Sequence, residues 1–318
     1  MKLIKTHIVL SLLLGAALSS PATQAAEHKF EQAPGYYHMN IGDFRITALN
    51  DGTRDMAAHR LLHWDEEKIQ AALAEHYLTS PVEGSINGFL VNTGEQQILI
   101  DTGMGDGVSP NLGQLSAHLQ AAGYQLTDID AVYITHMHGD HISGLLTDGE
   151  RTFPNARLYV HERDANYWLS ETEMNKAPEG RKGSFKNAMR LFAPYQNANA
   201  LITFSDGQQL HDGIIVNPTP GHTPGHSVYR VESDAETMVI WGDTLHVAAV
   251  QFAHPEVTIA YDSNPDEARA QRLQLLEKVA AEGHWVAGAH ISFPGIGRVK
   301  KEADGYRWVP ANYTTQID

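Results

Sequence analysis

"ITHMHGDHISG", residues 134–144, places His136, His138, Asp140 and His141 within six positions. A solvated turn has little use for such crowding, because neighbouring imidazoles repel one another as soon as they take up protons. Imidazole and carboxylate are good ligands for first-row transition metals, with Zn–N bonds of about 2.0–2.1 Å. Spacing sharpens the reading. His136 and His138, two apart in a segment leaving a strand, can reach one ion. Asp140 and His141 follow where the chain turns, so they can face a second position. One ion would not use all four together with the distant candidates below; two would.

The surroundings show how the cluster is presented. "IDAVYIT" (129–135) is an apolar run of strand length that delivers the chain into the histidines. Upstream, "FRITALND" (44–51) reads as a strand and "INGFLVNTGEQQILIDTG" (86–103) as a hairpin. "DEEKIQAALAEHY" (65–77) and "LGQLSAHLQAAGY" (112–124) read as helices, the second stopped by Gly123. Residues 27–40 read as an irregular arm. Downstream, "ARLYVHE" (156–162) is a strand, and 163–200 is mostly helical with a polar break at "APEGRKGS" that reads as mobile. Strands flank a second histidine loop at 219–226, "TMVIWGD" ends in Asp243, and "HWVAGAH" ends in His290. "NPDEARAQRLQLLEKVAAEG" (264–283) has Asn as cap, Pro in the first turn, early acids and a late Gly, a complete set of helix signals. One pattern recurs: a strand, then a ligand-type residue just beyond its C-terminal end, at His136, near His222, at Asp243 and at His290. A sheet can hold such groups rigidly.

Composition bounds the rest. The chain has 318 residues, 42% hydrophobic and 19% charged, with no linker that would divide residues 27–318, which read as a single domain. There is no cysteine, so any metal must be held by nitrogen and oxygen ligands. The formal charge of −15 and the lack of a basic patch argue against nucleic acid as a partner. Lys2 and Lys5, the apolar run Ile8–Leu18 and "SSPATQAAE" describe a signal peptide over residues 1–26, hence a periplasmic or secreted protein. The run falls short of the roughly 20 residues a membrane span needs, so no lasting insertion is expected once the leader is gone.

His136-x-His138-x-Asp140-His141, followed by "TPGHTPGH" with His222, "WGDTLH" with Asp243 and "AGAHISFPG" with His290, resembles the metallo-β-lactamase superfamily over nearly all of residues 27–318. "GDTLHVAAVQFAHPEVTIAYDSNPDEARAQR" and "HISFPGIGRV" are similar to its methyl parathion hydrolase branch, which includes organophosphate hydrolases and lactonases. The resemblance implies an α/β fold, the αββα sandwich, with a dinuclear site at one sheet edge. By analogy His136, His138 and His222 hold one metal, Asp140, His141 and His290 the other, and Asp243 bridges them. The expected cofactors are two divalent ions, zinc by default, with Mn, Co or Fe as alternatives. Two ions about 3.5–4 Å apart lower the pKa of a bridging water, giving a hydroxide that attacks a bound ester directly. Asp140 and Asp243 are the catalytic carboxylates in this reading.

Further residues are weighed against ordinary packing. Asp101 in "LIDTG" reads as a partner of a ligating histidine rather than a turn aspartate, and His226 as a structural histidine. His246, three beyond Asp243, together with Trp168 and Phe185 in the helical insertion, is expected to touch substrate; Phe192 reads equally well as core. In the loop after "DTG" the resembled enzymes carry an aromatic, whereas here the chain reads "MGDGVSPNLG" with Val108, which leaves room for an acyl chain. The expected activity is hydrolysis of small neutral esters: organophosphate triesters, lactones or both, with acyl-homoserine lactones as the alternative main substrate. A β-lactamase fits less well, since those enzymes usually lack a bridging aspartate. The resemblance also points to a homodimer. Mass spectrometry of the exported protein should find cleavage after Ala25 or Ala26; a mature chain that still starts at Met1 refutes the leader.

Overall fold

The computed structural model describes residues 32–317, and the chain from Pro34 onward forms one compact unit. The proposed leader lies outside the described residues. Among those described, no helix is long and apolar enough to cross a membrane.

Two seven-stranded mixed sheets are built in chain order, one from each half of this unit. The first runs Tyr36–Ile41, Phe44–Met56, Val82–Asn92, Gln97–Ile100, Ala131–Tyr133, Arg157–His161 and Leu201–Phe204. The second runs Gln209–His211, Ile214–Pro218, Ser227–Ser233, Glu236–Ile240, Trp285–Ala287, Ile296–Lys301 and Tyr306–Pro310. Alternation along each strand decides what packs where. Ile98, Ile100, Ala131 and Tyr133 of the first sheet share one buried cluster with Met238, Ile240 and Ala287 of the second. Their neighbours point the other way. Leu99 and Val132 pack with Leu115, Trp168, Leu191 and Phe192 of the helices outside the first sheet. Val239 and Val286 pack with Leu276 and Val279 of the helix Pro265–Glu282 outside the second. This is the expected α/β αββα sandwich.

Several elements follow their sequence signals closely. Asn264 caps the helix Pro265–Glu282 by accepting from the Glu267 amide, and Gly283 closes it in the left-handed conformation at φ 67°. Asp65 caps Glu66–Ala74 in the same way. Two segments differ from the expectation. Part of the supposedly irregular arm is the edge strand Tyr36–Ile41, folded back on Phe44–Met56 through Gly42 at φ 52°. The break at "APEGRKGS" is an ordered 3-10 turn, Glu179–Arg181, running into the helix Lys182–Asn197.

Parallel pairing places the site. Gln97–Ile100, Ala131–Tyr133 and Arg157–His161 run parallel, as do Glu236–Ile240 and Trp285–Ala287. The residues just beyond their C-terminal ends include Asp101, His136, Asp164, Asp243 and His290. Close packing of the intervening loops needs glycine at particular points. Gly221, at φ 124°, brings the loop holding His222 so near the helix Pro265–Glu282 that a Cβ would lie 2.2 Å from the Ala268 nitrogen. Gly221→Ala is expected to cost about 1–3 kcal/mol, the usual range for overpacking a tight contact. Urea unfolding of the metal-free protein should show it as a lower midpoint at unchanged slope.

Candidate metal centre

The ligand-type side chains converge as two main groups, with Asp243, His246 and His290 making a third that overlaps both. Donor atoms of His136, His138, His222 and Asp243 lie within 4.8 Å of one another, and so do those of Asp140, His141 and His290. Asp243 lies between the groups. Its Oδ2 is 3.1 Å from His222 Nε2 and 3.4 Å from His136 Nε2, while Oδ1 is 3.0 Å from His141 Nε2 and 3.1 Å from His290 Nε2. Asp140 is set slightly further off, 3.6 Å from His290 Nε2 and 3.8 Å from His141 Nε2. All seven residues singled out in the sequence therefore meet at one end of the sandwich.

Outer partners fix which nitrogen of each ring faces inward. The Nδ1 of His290 is 2.9 Å from the Ser85 carbonyl oxygen, which can only accept. His141 Nδ1 donates to Asp101 Oδ2 at 2.8 Å, and His222 Nδ1 to Asp262 Oδ1 at 2.9 Å. Thr135 spends its hydroxyl proton on Asp101, so at 3.1 Å it accepts from His136 Nδ1. In the neutral rings, four Nε2 lone pairs then point at one another and at Asp243. His222 Nε2 lies 3.2 Å from His136 Nε2 and 3.0 Å from His138 Nδ1. His141 Nε2 and Asp243 Oδ1, both buried and 3.0 Å apart, are not aligned for a hydrogen bond with each other or with any other described group. Acceptors gathered against acceptors, with orphans among them, are what a cation requires. The donor set fits divalent metal, and without thiolate it suits zinc, manganese, cobalt or iron.

Electrostatics show the same demand in proton form. Burial and the imidazoles of His141 and His222 push His136 and His138 well below the ordinary histidine range. For His141, burial opposes protonation, but the carboxylates of Asp243, Asp101 and Asp140 outweigh it and hold the ring well above that range. His222 is raised to about 9 against its burial by Asp243 and Asp262, and His290 is raised against its burial by Asp243 and Asp140. Asp140 is held down at about 2, burial being overcome by His141, His290 and Arg54.

Supporting residues divide into those foreseen and those not. Asp101, itself at φ 61°, accepts from the Thr135 amide, the Thr135 hydroxyl and His141. His226 accepts the Asp243 amide at its Nε2 and contacts Thr219 through Nδ1, a structural arrangement. His246 Nε2 is 3.0 Å from Asp243 Oδ2 and its ring borders the adjoining cavity, as does Trp168, which stands edge-on to His138. Phe185 corrects its assignment to the pocket. It is fully buried behind Trp168, on the inward face of its helix with Ala188, Leu191 and Phe192, and does not border the cavity. Val108 is 55% exposed and also lies off the cavity.

Asp164 was not legible. It accepts from the amides of Met137 and Gly225 and from the Thr223 hydroxyl, so one buried carboxylate ties the first histidine loop to the second. Nor were Asp262 and Arg272. Arg272, reaching in from the helix Pro265–Glu282, donates to the carbonyls of Thr244, Pro255 and Val257 and lies 3.7 Å from Asp262. No short-range spacing marks these residues, because each acts on a partner far along the chain.

A two-sheet α/β scaffold with nitrogen and oxygen donors at its strand ends defines a metal-dependent hydrolase. The chain belongs to the metallo-beta-lactamase superfamily, which residues 81–290 match. Among solved structures it is similar to the hydrolase AbOPH of the beta lactamase superfamily, at 35% identity and TM-score 0.86, covering 89% of this chain and 100% of that one. It is also similar to AidC, a dizinc quorum-quenching lactonase solved with the product N-hexanoyl-L-homoserine, at 25% identity and TM-score 0.82, covering 88% and 99% of the two chains. A probable metallo-hydrolase of Mycobacterium bovis is 24% identical over 177 residues, 49% of this chain and 56% of that protein. The uncharacterized protein YobT of Bacillus subtilis is 29% identical over 142 residues, 44% and 54% of the two chains. The chain thus spans about half the length of these curated relatives.

Metal must displace protons from the raised histidines, so affinity should climb with pH. His222, raised to about 9, holds a proton at pH 6–8. His141 is shifted in the same direction, and each proton released steepens the dependence by about tenfold per pH unit. Calorimetric zinc titrations in two buffers of different ionisation heat should show net proton release and tighter binding at pH 8 than at pH 6. Proton-neutral binding would contradict the electrostatics described here.

Proposed function

We propose that this protein is a dinuclear metal hydrolase that cleaves small lactones and activated esters, phosphotriesters among them, by direct attack of water. The observation that carries the reading is the Asp243 carboxylate, whose two oxygens face opposite groups of imidazole nitrogens. His136, His138 and His222 would hold one ion and Asp140, His141 and His290 the other, with Asp243 shared. When bound, the ions supply Lewis-acid polarisation of the substrate oxygen and acidify the attacking water. Support for lactones comes from AidC, and for the wider ester class from the sequence resemblance to methyl parathion hydrolase. Export to the periplasm or medium belongs to the same proposal and rests on the leader-like N-terminus.

The protein's own groups account for the remaining steps. Asp140, whose carboxylate borders the cavity, accepts the proton of the water as its oxygen bonds to the carbonyl carbon or phosphorus. That proton then goes to the departing alkoxide or phenolate. A lactone opens to a single hydroxy acid, a carboxylic ester gives an acid and an alcohol or phenol, and a phosphotriester gives a phosphodiester and an alcohol or phenol. Trp168 and His246 bound the cavity beside the two groups and hold the substrate against them. Burial lowers the pKa of His246 to about 4, keeping it neutral, so its Nε2–H donates to Asp243 Oδ2 and fixes the carboxylate's orientation.

The test measures kcat/KM for an acyl-homoserine lactone, methyl paraoxon and a phenyl ester on one metal-loaded preparation. Lactone turnover within an order of magnitude of the best substrate is expected, and undetectable turnover of all three would end the proposal. Asp243→Ala should bind less than two ions per chain by elemental analysis and reduce hydrolysis to background.

A further inference from the structure

The cavity over the two groups has a volume of about 310 Å³, the size of a small-molecule site. Its floor is formed by the ligand-type residues. Its wall has a different character. Arg54, Trp168, Arg181, Ser184 and Tyr261 supply the other charged and hydrogen-bonding side chains that border it. Each carries at least one donor, and none is an obligate acceptor.

These donors lack partners. The Trp168 indole N–H is buried with no hydrogen bond. Arg181, half-buried at the end of the 3-10 turn Glu179–Arg181, has no side-chain hydrogen bond or ion pair within the described residues. The exposed Ser184 hydroxyl and the half-buried Tyr261 hydroxyl likewise make no hydrogen bond within the described residues and are open to a ligand or to solvent. Arg54 has one weak contact, 3.8 Å from Asp140. Charge adds to the argument. Two guanidiniums balance the two carboxylates that border the cavity, Asp140 and Asp243, so divalent cations bound at the floor shift the charge of the cavity lining toward positive. Partly buried guanidiniums facing a positive floor repel it unless a ligand brings negative charge.

We infer that Arg181 and Arg54 determine specificity, selecting an ester or lactone that carries a carboxylate away from the bond being cleaved. The planar guanidinium fork matches the two oxygens of a carboxylate, and the indole N–H and the hydroxyls supply the single donors around it. The inference rests on the hydrolase reading and replaces its neutral substrate with an anionic one. It also runs against the protein's overall charge: the chain is acidic at −15, whereas its cavity wall is cationic.

The metal-loaded full chain is assayed at low salt with 4-nitrophenyl butanoate and with the mono-4-nitrophenyl ester of glutaric acid, which adds a terminal carboxylate. Wild type should favour the glutarate ester in kcat/KM by tenfold or more. Arg181→Gln should cut that ratio by at least fivefold, Arg181→Lys should keep part of it, and Arg54→Gln should lower it further. Comparing ratios between variants cancels the pull that any bound metal exerts on a carboxylate. Calorimetry with the corresponding 4-nitroanilides, which resist hydrolysis, gives the same comparison without turnover. An equal preference in wild type and Arg181→Gln, or a wild-type preference for the butanoate compound, overturns the inference while leaving the hydrolase intact. If neither ester is cleaved, the hydrolase reading fails and the anilide binding ratio alone decides whether Arg181 selects carboxylates.

Discussion

A buried carboxylate between imidazoles governs this structure. Asp243 is 4% exposed, and its two oxygens lie within 3.4 Å of five ring nitrogens that belong to four separate stretches of chain. An arrangement like this cannot remain both dry and uncompensated. Without a cation, Asp243 and the neighbouring carboxylates raise the proton affinity of His141, His222 and His290 against their burial. With cations, the same lone pairs become ligands. The hydrogen bonds that Asp101, Asp262, Thr135 and the Ser85 carbonyl accept keep four of the rings turned the right way in either condition. They are what convert five histidines and two aspartates from a source of repulsion into a receptor for positive charge.

The fold exists to hold those outer partners still. Asp101 and His136 leave adjacent parallel strands of one sheet, while Asp243 and His290 leave adjacent parallel strands of the other, so the two halves of the chain meet over the ligands. Asp164 ties the first histidine loop to the second. Arg272 ties the outer helix to the carboxylate behind His222. Each link is buried and multiply hydrogen-bonded, which leaves the ligand loops little freedom to relax away from a charged centre.

What the sequence revealed and what it concealed divide along physical lines. The ligand-type cluster was legible because metal chemistry restricts residue type and a strand end restricts spacing, so His136-x-His138-x-Asp140-His141 is gathered within six positions. The helix Pro265–Glu282 was legible for a similar reason, its cap and stop signals being local. The strand Tyr36–Ile41 was hidden because an edge strand paired on one side needs no continuous apolar run. Asp164 and Asp262 were hidden because a carboxylate that accepts from a distant loop looks, in sequence, like any acid near a helix start. Phe185 was misplaced because an aromatic on an amphipathic helix gives no sign of which wall its face meets; here Trp168 stands between it and the cavity.

The donors of the cavity wall come mainly from one segment. Trp168, Arg181 and Ser184 all belong to the helical stretch from Glu162 to Asn197, whereas no ligand-type residue of the two groups does. The reactive floor and the recognising wall are thus written in different passages of the chain. Inheritance can revise one passage without disturbing the other, so descendants of such a protein can trade one clientele for another while keeping the same chemistry.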